Sequence, residues 1–294
     1  MIDKIAPTST PVFITGENGV GKELAAQAIH DLSPRANARL VKLNCSAVPD
    51  ELFESELFGH TRGAFTGAHA PRRGRIVEAD KGTLFLDEIG DLSPSAQAKI
   101  LRFLESGEVQ KVGSNEILKI DARIIAATNR NLEEMIADGE FRRDLFYRLD
   151  VFPIHISPLA ERKEDIPLYI DYFIPGFCEA NHLPTPRISQ AAVHYLCGLD
   201  WPGNVRQLEH FIERLLLLAN TDLIDVQHIK ALTNSKKPIS ASPQTLKYAR
   251  EEFERNYIQT ILSECDNVTE AAHILGVDRT NLYRKMQQLG ITRA

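Results

Sequence analysis

The sequence predicts a parallel α/β domain followed by helical units, and two observations lead to this fold class. Through the first half of the chain, short apolar runs alternate with amphipathic stretches, which is typical of parallel strands joined by crossover helices. After about Pro158 the strand pattern stops and helical periodicity takes over. We therefore expect an α/β subdomain in residues 1–157, a helical subdomain in 158–232, a linker in 233–245 and a helical domain in 246–294.

The individual elements follow from apolar runs and their period. Strands are predicted at residues 11–15, 40–43, 83–86 and 122–127, and helices at residues 23–30, 188–199 and 205–219. The segment of residues 233–243 is polar and rich in Pro and Ser, which is why a flexible linker is expected there.

The composition limits the class of protein. Hydrophobic residues make up 43% and charged residues 25%, both ordinary for a soluble globular protein. The net charge is -6, so any surface that binds nucleic acid must be local. No apolar stretch approaches the length of a membrane span. The four cysteines are scattered without a C-x-x-C pair, which favours free thiols and therefore a cytoplasmic location.

A glycine-rich segment follows the first predicted strand and opens the first helix. It consists of Gly16, Glu17, Asn18, Gly19, Val20, Gly21 and Lys22. In a P-loop the glycines let backbone amides surround phosphates, the lysine reaches the β and γ oxygens, and the helix N-terminus adds a positive dipole. Glu23 stands where the usual motif has a hydroxyl for Mg²⁺, so another group must hold magnesium. Alone, the segment also fits an ordinary glycine-rich turn.

Paired acids end the strand predicted at residues 83–86. Asp87 is suited to hold Mg²⁺, directly or through water, and Glu88 to polarise the attacking water. An isolated Asp-Glu pair fits a solvated turn equally well, but the two motifs in this order favour an ATPase. Asn129, at the end of the fourth strand, is a candidate sensor of the γ-phosphate, although polar residues at a strand end usually form only a turn.

From about Thr10 to its C-terminus the chain resembles the bacterial enhancer-binding proteins, which are AAA+ activators of sigma-54 RNA polymerase. The most specific part of the resemblance is the segment Gly63, Ala64, Phe65, Thr66, Gly67 and Ala68. In that family this segment forms the tip of a loop, which contacts sigma-54 and moves with the nucleotide state. On the residues alone, a mobile loop tip and a glycine-rich surface turn fit equally well. The family often has an acid where Thr61 stands.

The resemblance implies an AAA+ P-loop parallel sheet with a helical lid, and it assigns further roles around ATP and Mg²⁺. The family has the sequence Gly-Lys-Glu at the positions of Gly21, Lys22 and Glu23, so Glu23 fits the family. Asn44 matches the residue that restrains the catalytic glutamate, here Glu88, and Asn129 matches the sensor. Arg206 resembles the lid arginine that contacts nucleotide in the same subunit.

Two further arginines match the family's arginine fingers. Arg142 and Arg148 are expected to reach the γ-phosphate in the neighbouring subunit, and Arg143 is a bystander. Without the resemblance, these arginines would be interpreted as the solvated face of a helix. If the fingers act between subunits, the site is complete only in a ring, and we expect a hexamer or heptamer.

The last residues suit a helix-turn-helix. A long amphipathic helix is expected at residues 246–264, a short one at 268–277, and a third at 279–289 capped by Asp278. Every charged residue after Asp278 is basic. The candidate DNA-binding residues are Arg279, Thr280, Asn281, Tyr283, Arg284 and Lys285. A bundle that serves only dimerisation is the alternative, but the unit resembles a Fis-type domain, which implies a dimer on double-stranded DNA at an upstream enhancer.

The resemblance thus predicts an ATP-dependent activator of the sigma-54 RNA polymerase holoenzyme. Two alternatives remain: a DNA-binding regulator with a decayed ATPase, and an AAA+ ATPase that acts on another nucleic-acid machine. The intact acids and arginines disfavour the first, and residues 63–68 disfavour the second. The chain begins about 15 residues before Gly16, so we expect part of the family's adenine-contacting segment to be missing. Either the sequence is a truncated piece, or its regulation comes from elsewhere.

Overall fold

The computed structural model describes most of the chain. The described residues are 1–48, 50–65, 67–219, 221–234, 254–255, 257–258, 261–262, 265 and 267–291. They belong to two compact units, Met1–Lys230 and Ala231–Ala294, each of which is treated by itself. Within the described residues, no helix is both long and apolar enough to cross a bilayer.

The strands of the described residues are short, and all of them lie in the first unit. They are β1 (Val12–Thr15), β2 (Leu40–Asn44), β3 (Gly59–His60), β4 (Arg72–Arg73), β5 (Thr83–Asp87), β6 (Glu108–Gln110), β7 (Ile117–Lys119), β8 (Arg123–Thr128), β9 (Pro153–His155), β10 (Arg187–Ile188) and β11 (Leu223–Ile224).

The helices of residues 1–234 surround the strands and continue beyond them. They are α1 (Ile2–Ile5), α2 (Lys22–Asp31), α3 (Asp50–Phe58), α4 (Arg75–Glu78), α5 (Pro94–Ser106), α6 (Leu132–Ala137), α7 (Arg143–Leu149), α8 (Ile166–Ala180), α9 (Gln190–Gly198), α10 (Asn204–Ala219) and α11 (Val226–Asn234). Short 3-10 turns lie at Cys45–Ala47, Ile89–Asp91, Leu159–Glu161 and Lys163–Asp165.

The central sheet has five parallel strands in the order β2-β5-β8-β1-β9. This confirms the predicted parallel α/β fold, and the four predicted strands form β1, β2, β5 and β8. The fifth strand, β9, is absent from the sequence prediction. It has only three residues and begins with Pro153, which cannot donate to a ladder and is compatible with an edge strand.

Both faces of the sheet are buried, which explains its continuous apolar runs. Successive side chains on a strand point to opposite faces. Leu84 and Leu86 therefore pack in one core cluster, and Phe85 between them packs in the other. Because the strands are parallel, their carboxyl ends meet at one edge, where Asn44 lies beside Asp87 and Thr15 beside Thr128.

The second unit contains α12 (Val268–Ile274) and α13 (Arg279–Leu289). Ala271 and Ala272 are buried between the helices, and their small size permits the close approach expected of a helix-turn-helix. Asp278 occupies the N-cap of α13, as expected, but its side chain accepts no capping hydrogen bond. Residue type indicates the cap position but does not determine the rotamer.

Two sequence predictions fall largely outside the described residues. Of the helix expected at 246–264, only residues 254–255, 257–258 and 261–262 are described, and these are helical. Of the linker expected at 233–245, only residues 233–234 are described, and both belong to α11.

Candidate functional site

A cleft of about 530 Å³ lies at the carboxyl edge of the sheet, beneath α8 and α10. It collects residues from distant parts of the first unit. Its lining consists of Asn18, Gly19, Gly21, Lys22, Glu23, Leu24, Asn44, Ser46, Asp87, Glu88, Asp91, Asn129, Tyr172, Phe173, Val205, Arg206 and Glu209.

Most of the residues predicted for nucleotide and catalysis lie in this cleft. Gly16, Glu17 and Val20 are not part of its lining. Glu17 accepts a hydrogen bond from Asn204, and the Val20 carbonyl accepts one from Arg162. Sequence order alone cannot separate loop residues that face the cleft from those that anchor the loop.

Close backbone approaches explain the glycines of this loop. Gly19 has a φ of 79°, and a Cβ placed there would lie 2.4 Å from the carbonyl oxygen of Gly203. Gly16 has a φ of 150°, and its Cβ would lie 2.6 Å from the carbonyl oxygen of Ile156. Any larger residue would displace the loop from the lid or from the strand end.

Lys22 and Glu88 form the polar centre of the cleft. Lys22 Nζ donates to the Gly16 carbonyl oxygen at 3.0 Å and lies 3.3 Å from Glu88 Oε1. The other oxygen of Glu88, Oε2, accepts a hydrogen bond from the backbone amide of Asn129 at 3.1 Å. Glu88 itself has a φ of 53°, a left-handed conformation that is costly for a residue with a side chain. The carboxylate is thus held by two partners on a strained backbone.

Asp87 lies beside this pair and is partly buried. Burial, reinforced by the charge of Glu88, raises the pKa of Asp87 above its ordinary value, and Lys22 offsets part of the effect. Burial and the neighbouring acids likewise raise the pKa of the Cys45 thiol, which makes that thiol a poor nucleophile. A cation bound next to Asp87 would relieve the charge repulsion between the two acids.

The donor set of the cleft fits Mg²⁺ only as a partner of phosphate. The described residues contain no group of three or more His, Cys, Asp or Glu side chains that could hold a metal alone. Mg²⁺ bound with nucleotides usually takes one or two carboxylates and completes its shell with phosphate oxygens and water. Asp87, with Glu88 adjacent, meets that requirement without the missing hydroxyl at Glu23.

Two cleft residues have contacts that the sequence did not suggest. The Asn44 carboxamide oxygen accepts the Ser46 and Ala47 amides at 2.9 and 3.2 Å, so it caps the turn Cys45–Ala47 and is not bonded to Glu88. Restraint of Glu88 by Asn44 stays a prediction. Glu23 forms an ion pair with Lys42 on β2, at 3.1 Å.

Arg142 and Arg148 lie outside the cleft of their own chain. Arg142 donates to both carboxylate oxygens of Asp144, at 3.0 and 2.6 Å, and holds the pKa of Asp144 below its ordinary value. Arg148 donates to the Leu104 carbonyl oxygen at 3.2 Å. Buried Gln97, which the sequence analysis missed, accepts the Arg142 amide at 2.8 Å and thereby fixes the start of α7.

Asn204 and Arg162 join the lid to the glycine-rich loop. Asn204 is 1% exposed and has a φ of 55°. Its side-chain amide donates to the Glu17 carboxylate at 3.0 Å and to the Asn18 carbonyl oxygen at 3.1 Å. Its carboxamide oxygen accepts the Leu159 amide at 2.7 Å. Arg162 donates to the Val20 carbonyl at 2.8 Å. The sequence drew attention to Arg206, which lines the cleft, but not to these two neighbours.

The loop between β3 and β4 carries the segment of residues 63–68. Phe65 is 36% exposed, and its ring packs edge-on against His60 with centroids 5.0 Å apart. Ala68, predicted to contact a partner, is instead buried at 5%. Gly63 and Gly67 both have positive φ and open space around them. Thr66 lies outside the described residues.

Most candidate DNA-binding residues form an exposed surface on α13. Arg279, Thr280, Asn281, Tyr283 and Arg284 are exposed. Arg279 lies over the Tyr283 ring at 5.6 Å, and Arg284 donates to Asn281 at 3.2 Å. Lys285 differs, because it is half-buried and paired with Glu254 at 2.6 Å.

Fold and cleft together define an AAA+ P-loop protein with a lid and a Fis-type helix-turn-helix. The sigma-54 interaction domain matches residues 1–155, the AAA+ ATPase lid domain residues 160–246, and the Fis-family bacterial regulatory protein residues 249–293. The chain therefore belongs to the family of sigma-54-dependent transcriptional activators, as the resemblance implied.

Individual relatives agree with this family. The chain is 45% identical to the nitrogen fixation protein AnfA of Azotobacter vinelandii over 99% of its length and 55% of AnfA. It is also 45% identical to the formate hydrogenlyase transcriptional activator FhlA of Escherichia coli, over 100% of its length and 43% of FhlA. NtrX from Brucella abortus, solved in complex with ATP, superposes with a TM-score of 0.70 and 36% identity over 98% of this chain and 66% of NtrX. The chain thus spans about half the length of these two curated relatives.

The substitution Asn204→Asp should loosen the lid from the glycine-rich loop. The side chain keeps its shape, but a carboxylate oxygen would face the Glu17 carboxylate and the Asn18 carbonyl in place of two donors. We expect the free energy of unfolding of the first unit, measured by thermal unfolding, to fall by about 2–4 kcal/mol.

A second variant, Asn204→Ala, removes the two donors without adding repulsion but also loses the oxygen that accepts the Leu159 amide, so it should be destabilised as well. Equal stability of the wild type and Asn204→Asp would contradict the role given to Asn204 in joining the lid to the glycine-rich loop.

Proposed function

We propose that the chain is an ATP-hydrolysing transcription activator that remodels sigma-54 RNA polymerase holoenzyme and opens promoters in the cytoplasm. The observation that carries the proposal is the joint presence, in one cleft, of Lys22 on the glycine-rich loop and of Asp87 and Glu88 at the end of β5. The solved ATP complex of NtrX supports nucleotide as the ligand of this cleft.

In this proposal the glycine-rich loop and α2 bind the phosphates of ATP. Backbone amides of residues 16–22 and the positive end of α2 favour an anion, and Lys22 supplies a full charge. Asp87 would hold Mg²⁺, which neutralises phosphate charge when bound. Arg206, Asn129 and Glu23 lie on the walls of the same cleft and complete the contacts.

Glu88 is the proposed general base. Its carboxylate already has one oxygen on Lys22 and the other on the Asn129 amide, so a bound γ-phosphate competes for both partners. Once Lys22 turns to phosphate, Glu88 is free to orient and deprotonate water. Asn44 lines the cleft nearby, which is compatible with its proposed restraining role.

The two proposed fingers suggest that the enzyme works as a ring. Arg142 and Arg148 lie outside their own cleft, on and before α7, and Arg142 is held in a bidentate pair with Asp144. An arginine supplied by a neighbour stabilises transition-state charge by roughly a thousandfold or more in comparable enzymes. A hexamer or heptamer would close each cleft with the next subunit's arginines.

The remaining surfaces have proposed partners. The loop of residues 63–68, with Phe65 at its tip, would contact sigma-54. The exposed face of α13 would bind the major groove of upstream double-stranded DNA, with a dimer on a palindromic site. Arg279, Asn281 and Arg284 are exposed on this face and contact their neighbours on α13, whereas Lys285 would first have to leave Glu254.

Glu88→Gln should bind ATP and lose hydrolysis. The amide cannot accept a proton, so turnover should fall by about a hundredfold or more, while the phosphate contacts are kept. Nucleotide affinity is measured by titration calorimetry and turnover by phosphate release. The exposed Glu133, changed to Gln, serves as the control with normal turnover. Normal turnover of Glu88→Gln would contradict the proposed base.

The function itself is tested by promoter opening with sigma-54 RNA polymerase and ATP, with ATP hydrolysis followed in the same reactions. We expect the wild type to open the promoter. Thr66→Ala should hydrolyse ATP without opening it, because the loop contact is lost. Hydrolysis by the wild type without any opening would indicate a target other than sigma-54, and absent hydrolysis with intact DNA binding would favour a decayed ATPase.

A further inference from the structure

One buried histidine organises the base of the β3–β4 loop. His60 ends β3 and is 8% exposed. Its Nδ1 lies 2.7 Å from the Ser55 hydroxyl on α3, and its Nε2 lies 2.9 Å from the carbonyl oxygen of Ala70, where the loop returns. The imidazole therefore bridges a helix and the far arm of the loop.

The two partners determine how the ring is protonated. A carbonyl oxygen can only accept, so Nε2 carries the proton and donates it to Ala70. In the neutral imidazole, Nδ1 then accepts from the Ser55 hydroxyl. Ser55 is 6% exposed, so its hydrogen bond with His60 is shielded from water and costly to break, whereas the bond to Ala70 is only partly buried.

The same ring also holds the tip of the loop. Phe65 packs edge-on against His60, with an interplanar angle of 66°. Within the loop, the Gly63 amide donates to the Ala68 carbonyl at 2.9 Å, and the Ala68 amide donates to the Phe65 carbonyl at 3.0 Å. The aromatic side chain at the tip is thus folded back on the loop's own base.

A short path connects this histidine with the cleft. Asn44 and Ser46 line the cleft, the turn Cys45–Ala47 follows, and α3 begins at Asp50. Ser55 lies on α3 and bonds His60. A displacement of the turn would therefore move α3 as a rigid element and reach the loop through His60. A second contact joins the same elements, because Glu56 on α3 pairs with Arg72 on β4.

We propose that His60 is a positioning residue that couples the β3–β4 loop to α3. It holds Phe65 folded back and passes a displacement of α3 to the loop when the nucleotide changes. The inference rests on the proposed function, in which this loop contacts sigma-54. His60 touches neither nucleotide nor sigma-54 in this role, and it acts through Ala70 and Phe65.

The first test needs neither polymerase nor DNA. Hydrogen exchange is measured on the full chain at the Gly63, Ala68 and His69 amides, all of which are bonded within the loop. His60→Phe keeps an aromatic ring but loses both hydrogen bonds, and should speed exchange roughly tenfold. His60→Gln, which can still donate to Ala70, should restore part of the protection.

Two further variants keep this test decisive. Ser55→Ala removes only the hydroxyl on α3, is compatible with a helix, and should loosen the loop to a smaller extent. His69→Phe changes an exposed histidine of the same loop and should exchange like the wild type. The proposal is overturned if His60→Phe folds and both it and Ser55→Ala exchange their loop amides at the wild-type rate. If His60→Phe does not fold, wild-type exchange in Ser55→Ala alone overturns it.

The second test asks whether His60 couples the loop to hydrolysis. His60→Phe should hydrolyse ATP normally but open fewer sigma-54 promoters for each ATP consumed, and His60→Gln should recover part of that yield. Full promoter opening by His60→Phe would overturn the coupling role. If the wild type opens no sigma-54 promoter, the proposed function fails instead, and the exchange measurements still decide whether His60 positions the loop.

Discussion

The ion pair between Lys22 and Glu88 depends on parallel pairing of the central strands. β1 delivers the glycine-rich loop, β5 delivers Asp87 and Glu88, and β8 delivers Asn129, all at one edge of the sheet. Only parallel strands bring three consecutive carboxyl ends together in this way. Glu88 then adopts a left-handed backbone conformation that directs its carboxylate to both Lys22 and the Asn129 amide.

Three structural features extend from this edge, and each is attached by a specific polar contact. The lid is joined to the glycine-rich loop by Asn204 and Arg162, so opening of the lid must disturb the backbone of that loop. Gln97 fixes the start of α7 and with it Arg142. α3 leads from the cleft wall towards His60 and the β3–β4 loop. In the proposed function, these contacts would link binding at the cleft to Arg142 and to the β3–β4 loop.

The sequence predicted those elements and motifs that are determined by residues close together in the chain. Four of the five sheet strands are continuous apolar runs, α2 and α10 have helical apolar periodicity, and the glycine-rich loop and the acids of β5 are contiguous motifs. Contacts across long separations were not predictable. Asn204 bonds a loop nearly two hundred residues away, and Arg123 is buried with its charge directed at the Ile5 and Ala6 carbonyls. No spacing rule encodes these pairings, because they arise only after the sheet and lid have packed.

The central claim is that nucleotide at the cleft changes the β3–β4 loop. Hydrogen exchange of the wild-type loop amides, compared between ADP and ADP with aluminium fluoride as a mimic of the transferring phosphate, tests it most directly. The account predicts that exchange at Gly63, Ala68 and His69 differs between the two states while the strands of the sheet stay equally protected. Identical loop exchange in both states, with the glycine-rich loop protected by nucleotide in each, would contradict it.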